Sequence, residues 1–166
     1  MNIFATNDCP VASAKALPNN LVIKMIVESC QILSTAHFEL DGLQVGYKPT
    51  HKNHPSCVWT RQTRGNYRWL YNHAKALCDE YTYRTGKVHK SSELLGVLMV
   101  APVNIPKGER IDFVMCMPDQ YKLQAKFNST TAYRLYLKNK YSEWLTRTDK
   151  RPIVATWTNR QRPTWC

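Results

Sequence analysis

The stretch LPNNLVIKMIVESCQ and the residues after it constrain the chain most. Val22, Met25, Ile26, Leu33 and Ala36 recur at the spacing of one helix face, which predicts a helix that Asn20 caps and that runs to about His37. Lys24, Glu28, Gln31 and Thr35 fall on another stripe, because residues three or four apart are neighbours on a helix. An acid with a base one turn behind it, on an otherwise apolar helix, allows two readings. One is a surface ion pair worth about 0.2–0.5 kcal/mol. The other is a carboxylate placed for reaction chemistry.

The same logic gives further helices. Asp8 ahead of Pro10 predicts a short helix to about Leu17, and Asn53 with Pro55 suits another helix start. Gly65-Asn66 opens a longer helix that ends at Gly86, with Trp69, Leu70, Ala74, Leu77, Cys78 and Tyr81 on its buried face. Ser91 or Ser92 caps a short helix through Leu98. Asn128 or Ser129 caps a last one to about Leu145, with Tyr133, Tyr136, Leu137 and Trp144 inward. Residues 101–127 read as a long loop or insertion, with three prolines and little regular structure. Residues 151–166 read as a tail packed on the body. The expected fold is all-α: one compact helical domain over residues 1–166, with long irregular connections.

Length agrees, since 166 residues suffice for one domain with a proper core. Apolar residues make up 43% of the chain, an ordinary share for a globular protein. No apolar run approaches the roughly 20 residues of a membrane span, and Asn7, Asp8 and Pro10 interrupt any leader-like start. A cytoplasmic protein without a membrane partner is expected. The six cysteines form no CxxC pair and sit among apolar neighbours, so they read as buried thiols.

Net charge is +11 and the isoelectric point near 9.5, a balance suited to a polyanion partner. The basic residues are spread along the chain, which favours a folded basic face over a disordered arm. His51, Lys52, His54, Arg61, Arg64 and Arg68 form the best cluster for phosphate contact. His51 and His54 have one acid upstream, Asp41, too few for a metal site; no metal and no cofactor are expected. Trp59 and Trp69 read as core rather than stacking platforms. There is no phosphate-binding glycine loop, HExxH, GxSxG or dinucleotide fingerprint.

LPNNLVIKMIVESCQ is similar to the first-helix segment of pyrimidine-dimer DNA glycosylases of the phage endonuclease V type. NYRWLYNHAKALCDEYTYRTGK resembles the long central helix of that family, and the closing RPTW resembles its C-terminal tryptophan motif, in the same order along the chain. The resemblance implies a small, basic, all-helical enzyme that acts on damaged double-stranded DNA as a monomer. Its catalytic glutamate would be Glu28 and its nucleophile the terminal α-amine. Met1 precedes the bulky Asn2, which disfavours removal of the methionine, so the amine would be that of Met1. A free α-amine titrates near about 7.7–8.0, so a useful fraction is neutral at pH 7 and can form a Schiff base with the sugar. Glu28 would stabilise developing charge and shuttle the proton for β-elimination, the abasic-site lyase step. Lys24 would hold or orient DNA, and Arg162 and Trp165 would close the site where the tail folds back. The family also suggests a virus-encoded protein acting in host cytoplasm.

The sequence departs from the phage-type pattern at three places. The family's histidine seven residues before the glutamate is Leu21 here, and the flanking arginines are Val27 and Gln31. Residues 99–127 have no counterpart in the resemblance. A non-catalytic DNA-binding protein, and an enzyme acting on modified bases of phage DNA or on RNA, are the competing expectations.

Overall fold

Seven helices and no strand form the structure, a computed structural model that describes residues 1–166. The all-α expectation holds. Helices α2 (Asn19–Asp41) and α4 (Arg64–Thr85) are the central pair, with α1 (Pro10–Ala16) packed on α4 and α3 (Pro55–Gln62) packed on both. Val22, Met25, Ile26, Leu33 and Ala36 of α2 are all buried, as their spacing predicts. So are Trp69, Leu70, Ala74, Leu77 and Cys78 of α4, while Tyr81 is half-buried. Trp59 and Trp69 meet edge to face in the core, 6.3 Å between ring centroids.

The boundaries differ from the expected ones where other residues take the capping positions. Pro18, not Asn20, occupies the N-cap of α2, and the helix runs one turn past His37. It stops at Gly42, whose left-handed backbone (φ 68°) lets its N–H bond back to the Phe38 carbonyl. At 23 residues α2 is in fact long and apolar enough to cross a bilayer, but 67% of its most apolar window is buried inside the protein. Asp8 does not cap α1; Cys9 holds that position and Asp8 pairs with Arg110 at 2.7 Å. A 3₁₀ turn (Lys90–Leu94), capped by His89 rather than a serine, leads into α5 (Leu95–Leu98).

Residues 99–118 are irregular, as expected, but α6 (Asp119–Gln124) follows and packs on α7 (Ser129–Thr146). Asn128 caps α7 by accepting the Thr131 N–H at 2.9 Å. The irregular segment is fastened by pairing with α3 and α4. The Arg64 and Gly65 N–H groups donate to the carbonyls of Pro106 and Gly108, and the Trp59 indole donates to the Asp112 carbonyl. A Cβ on Gly65 would collide with the backbone of Glu109 and Arg110, so only glycine permits this approach.

The C-terminal tail docks at the start of α2 and the end of α4. Asn19 donates its N–H to the Thr156 carbonyl, and the Trp157 indole donates to the Ala16 carbonyl. Beneath them, buried Glu80 accepts from both Arg84 and Arg160. Burial pushes the Glu80 carboxyl up, but the two guanidiniums outweigh it and hold its pKa below the usual range. The six cysteines are free; Cys30, Cys57 and Cys78 are buried as expected, while Cys9 is exposed and Cys116 and Cys166 are half-buried.

Candidate active site

Midway along α2, Glu28 presents a side chain only 15% exposed. It faces the chain's first residues. The backbone N–H of Asn2 donates to Glu28 Oε2 at 2.9 Å. Consecutive backbone nitrogens lie at most about 3.6 Å apart, so the α-amine of Met1 is within about 7 Å of this carboxylate. On the other carboxylate oxygen, Oε1, the Lys24 ammonium sits 3.5 Å away with a side chain 58% exposed. The ion-pair reading of Lys24 and Glu28 and the proximity of Glu28 to the terminus are therefore both true.

A second wall is laid against the same stripe of α2 by Thr35. Its hydroxyl accepts the Thr50 N–H at 3.1 Å and is bonded to the carbonyls of Gln31 and Thr50. This pins the loop that carries His51, Lys52 and His54. His51 has a left-handed backbone (φ 49°) and contacts Thr50 Oγ1 through Nδ1 at 2.6 Å. His54 caps α3, its Nδ1 accepting the Ser56 N–H, which leaves the proton of the neutral ring on Nε2. Burial lowers the His54 pKa, and the positive charges of the terminal amine and His51 add to that, while Glu28 opposes them.

The first turn of α3 also grips the terminus. The Cys57 thiol donates to Met1 Sδ at 3.4 Å, and burial pushes that thiol up to about 11, so it stays protonated. The positive end of α3 thus lies beside the first residue. Leu21, Val27 and Gln31, the three departures from the phage-type pattern, have different surroundings. Leu21 is buried in the core, while Val27 and Gln31 are half-buried beside Glu28. The cations near this carboxylate come instead from Lys24 and the 51–54 loop.

The remaining sequence candidates spread outward. Arg61 donates to the Lys52 carbonyl at 2.7 Å, bracing the histidine loop. Arg64 and Arg68, on the first turns of α4, flank a groove of about 290 Å³ together with Lys107. Lys107 was not singled out in the sequence, because it falls in the segment without periodicity. Arg162 lies over the Trp157 ring at 6.0 Å and borders a cleft with Lys138 and Tyr141. Trp165 packs half-buried against the core in the same tail. The tail's anchor, Asn19, is nine residues from Glu28, about 13.5 Å along α2. The structure therefore groups Met1, Glu28, Lys24 and the 51–54 loop, and anchors the tail through Thr156 and Thr158 at the first residue of α2.

No curated protein and no solved structure matches the chain. A family model described as pyrimidine dimer DNA glycosylase matches residues 1–94, more than half of the chain, a span that holds Met1, Glu28, the histidine loop and all of α4. By that match, the chain belongs to the pyrimidine dimer DNA glycosylase family, whose substrate is DNA.

Proposed function

We propose that this glycosylase also cleaves the strand, working on duplex DNA through a Schiff base with the α-amine of Met1. The observation that carries the reading is the 2.9 Å contact between the Asn2 N–H and Glu28, which keeps the terminus at the carboxylate. The neutral amine adds its lone pair to C1′ of the damaged nucleotide. The glycosidic bond breaks, and the base leaves with its electron pair and takes up a proton. Nitrogen loses a proton, the sugar ring opens, and a protonated imine links enzyme and strand. Glu28 stabilises the positive charge that develops on the sugar, then removes a C2′ proton. Those electrons form the C2′–C3′ double bond and expel the 3′ phosphate. Water hydrolyses the imine and frees the amine.

Duplex binding in this reading uses Lys24, His51, Lys52, His54, Arg61, Arg64 and Arg68 on phosphates, with Arg162 and Trp165 as outlying contacts. Such contacts fix register and leave base choice to the pocket around the extruded nucleotide. The experiment is borohydride trapping on a duplex carrying a thymine dimer or an abasic site, with the modified residue located by mass spectrometry. An adduct on the α-amine is expected. Absence of an adduct on both substrates removes the lyase, and an adduct on a lysine side chain removes the proposed nucleophile.

A further inference from the structure

Asn2 is 8% exposed, and its side chain has no freedom to turn. Its Nδ2 donates to the Cys116 carbonyl at 2.9 Å. Its Oδ1 accepts the Ile3 N–H at 2.8 Å, the Phe4 N–H at 3.3 Å and the Tyr133 hydroxyl at 2.9 Å. Tyr133 is fully buried, and its one hydroxyl proton faces two acceptors, Asn2 Oδ1 and the Val114 carbonyl at 2.7 Å. The Cys116 N–H approaches the same hydroxyl at 3.4 Å. Two residues on, Phe4 holds a left-handed backbone (φ 45°) while buried, a conformation that persists only where its surroundings over-determine it.

These bonds have a common geometric effect. The backbone nitrogen of Asn2 points at Glu28, while its amide is locked from the opposite side by Val114, Cys116 and Tyr133. All three of those residues lie beyond the 1–94 span that carries the family likeness. We propose that Asn2 and Tyr133 are positioning residues: their shared hydrogen bonds set the direction in which the first residue's nitrogen departs from Glu28, so that residues after 94 complete the reactive site. This inference rests on the α-amine reading, because it assigns the direction of that nucleophile. Polar groups buried and paired on every side hold one geometry, and an error of about 1 Å at a reacting atom costs on the order of 100-fold in rate.

The test is single-turnover borohydride trapping on an abasic-site duplex, with duplex concentration varied. Tyr133→Phe keeps the ring in the core and removes only the hydroxyl. Its saturating trapping rate is expected to fall about 10- to 100-fold, with the half-saturating duplex concentration unchanged within about twofold. Asn2→Ala lies in the irregular N-terminal segment and decides the matter should Tyr133→Phe fail to fold; the same split is expected. Asn2→Asp retains the acceptor toward Ile3, Phe4 and Tyr133 and is expected to recover part of the rate lost by Asn2→Ala. Wild-type rates in the folded variants overturn the inference, as does a parallel loss of rate and duplex binding. A wild-type protein that never traps removes the α-amine reading itself and this inference with it, whereas trapping in wild type with unaffected variants removes this inference alone.

Discussion

The Asn2 backbone N–H donates to the Glu28 carboxylate across 26 residues of sequence, at 2.9 Å. Replacing Glu28 by Gln keeps an oxygen acceptor for that bond and deletes the charge and the proton-accepting capacity. Glu28→Gln is expected to lower turnover on a dimer or abasic duplex by about 10²–10⁴, with duplex affinity within about twofold. Strand nicking and gel-shift titration measure the two. Equal loss of both would show that the side chain serves the fold.

The Met1 side chain meets the Cys57 thiol, and the next residue's N–H is bonded to Glu28, which places the α-amine beside the carboxylate. Acetylation of the α-amine, or an extension by two or three residues before Met1, is expected to abolish borohydride trapping while leaving duplex binding in place. An N-terminally tagged protein that traps as well as the untagged one would falsify the nucleophile.

Much of this grouping is readable from residue types. Helical spacing on α2 and α4 reports burial directly, because each of those helices turns an apolar face to the core, whereas on α7 Tyr133 and Leu137 are buried and Tyr136 and Trp144 only half-buried. Glu28 stands out as an acid on the first of them. The terminal segment and residues 99–118 are different. Their backbone groups bond to side chains that are distant in sequence, such as Ile111 N–H to Asn66 Oδ1 and Cys116 O to Asn2 Nδ2. Such pairings leave no period behind. Asn2 and Tyr133 are therefore visible only once the chain is folded, although Tyr133 already reads as an inward residue of the last helix.

His73 is fully buried, stacked on Trp69, with Nδ1 on the Pro10 carbonyl at 3.0 Å and Nε2 without a partner. Burial lowers its pKa to about 4. The unfolded chain protonates this ring below about 6.5, while the folded one resists until about pH 4. Its contribution to stability is complete above pH 6.5 and is lost as pH falls toward 4. The shift corresponds to about 3 kcal/mol. Melting temperature is expected to fall between pH 7 and pH 4, and His73→Phe is expected to flatten that part of the profile. An identical pH dependence in the two proteins would exclude His73 as the cause.

Buried Glu80 binds two guanidiniums, the buried one of Arg84 and the partly exposed one of Arg160. Removing the acid leaves Arg84 buried and unpaired, so Glu80→Ala is expected to cost about 3–5 kcal/mol. Arg160 is more exposed, and its loss leaves the Glu80–Arg84 pair intact. Arg160→Ala is expected to cost about 1 kcal/mol or less, and to release the tail. Chemical denaturation gives the two costs, and faster limited proteolysis after Arg147 reports the freed tail.

The basic side chains differ in what else they hold, and salt dependence separates them. Each phosphate contact contributes about −0.9 to the slope of log affinity against log salt on duplex DNA. Arg64 and Arg68 flank the groove beside Lys107, and their guanidinium groups make no hydrogen bond or ion pair within the protein. Replacing either by Ala is expected to reduce the slope by about 1 without changing melting temperature. Arg61 is tied to the Lys52 carbonyl, so its loss also frees the loop of His51 and His54. Arg61→Ala is therefore expected to lower the catalytic rate as well as affinity. Titrations of a fluorescent duplex between about 50 and 200 mM salt resolve such slopes. Unchanged slopes in both Arg64→Ala and Arg68→Ala would move the DNA path off the start of α4.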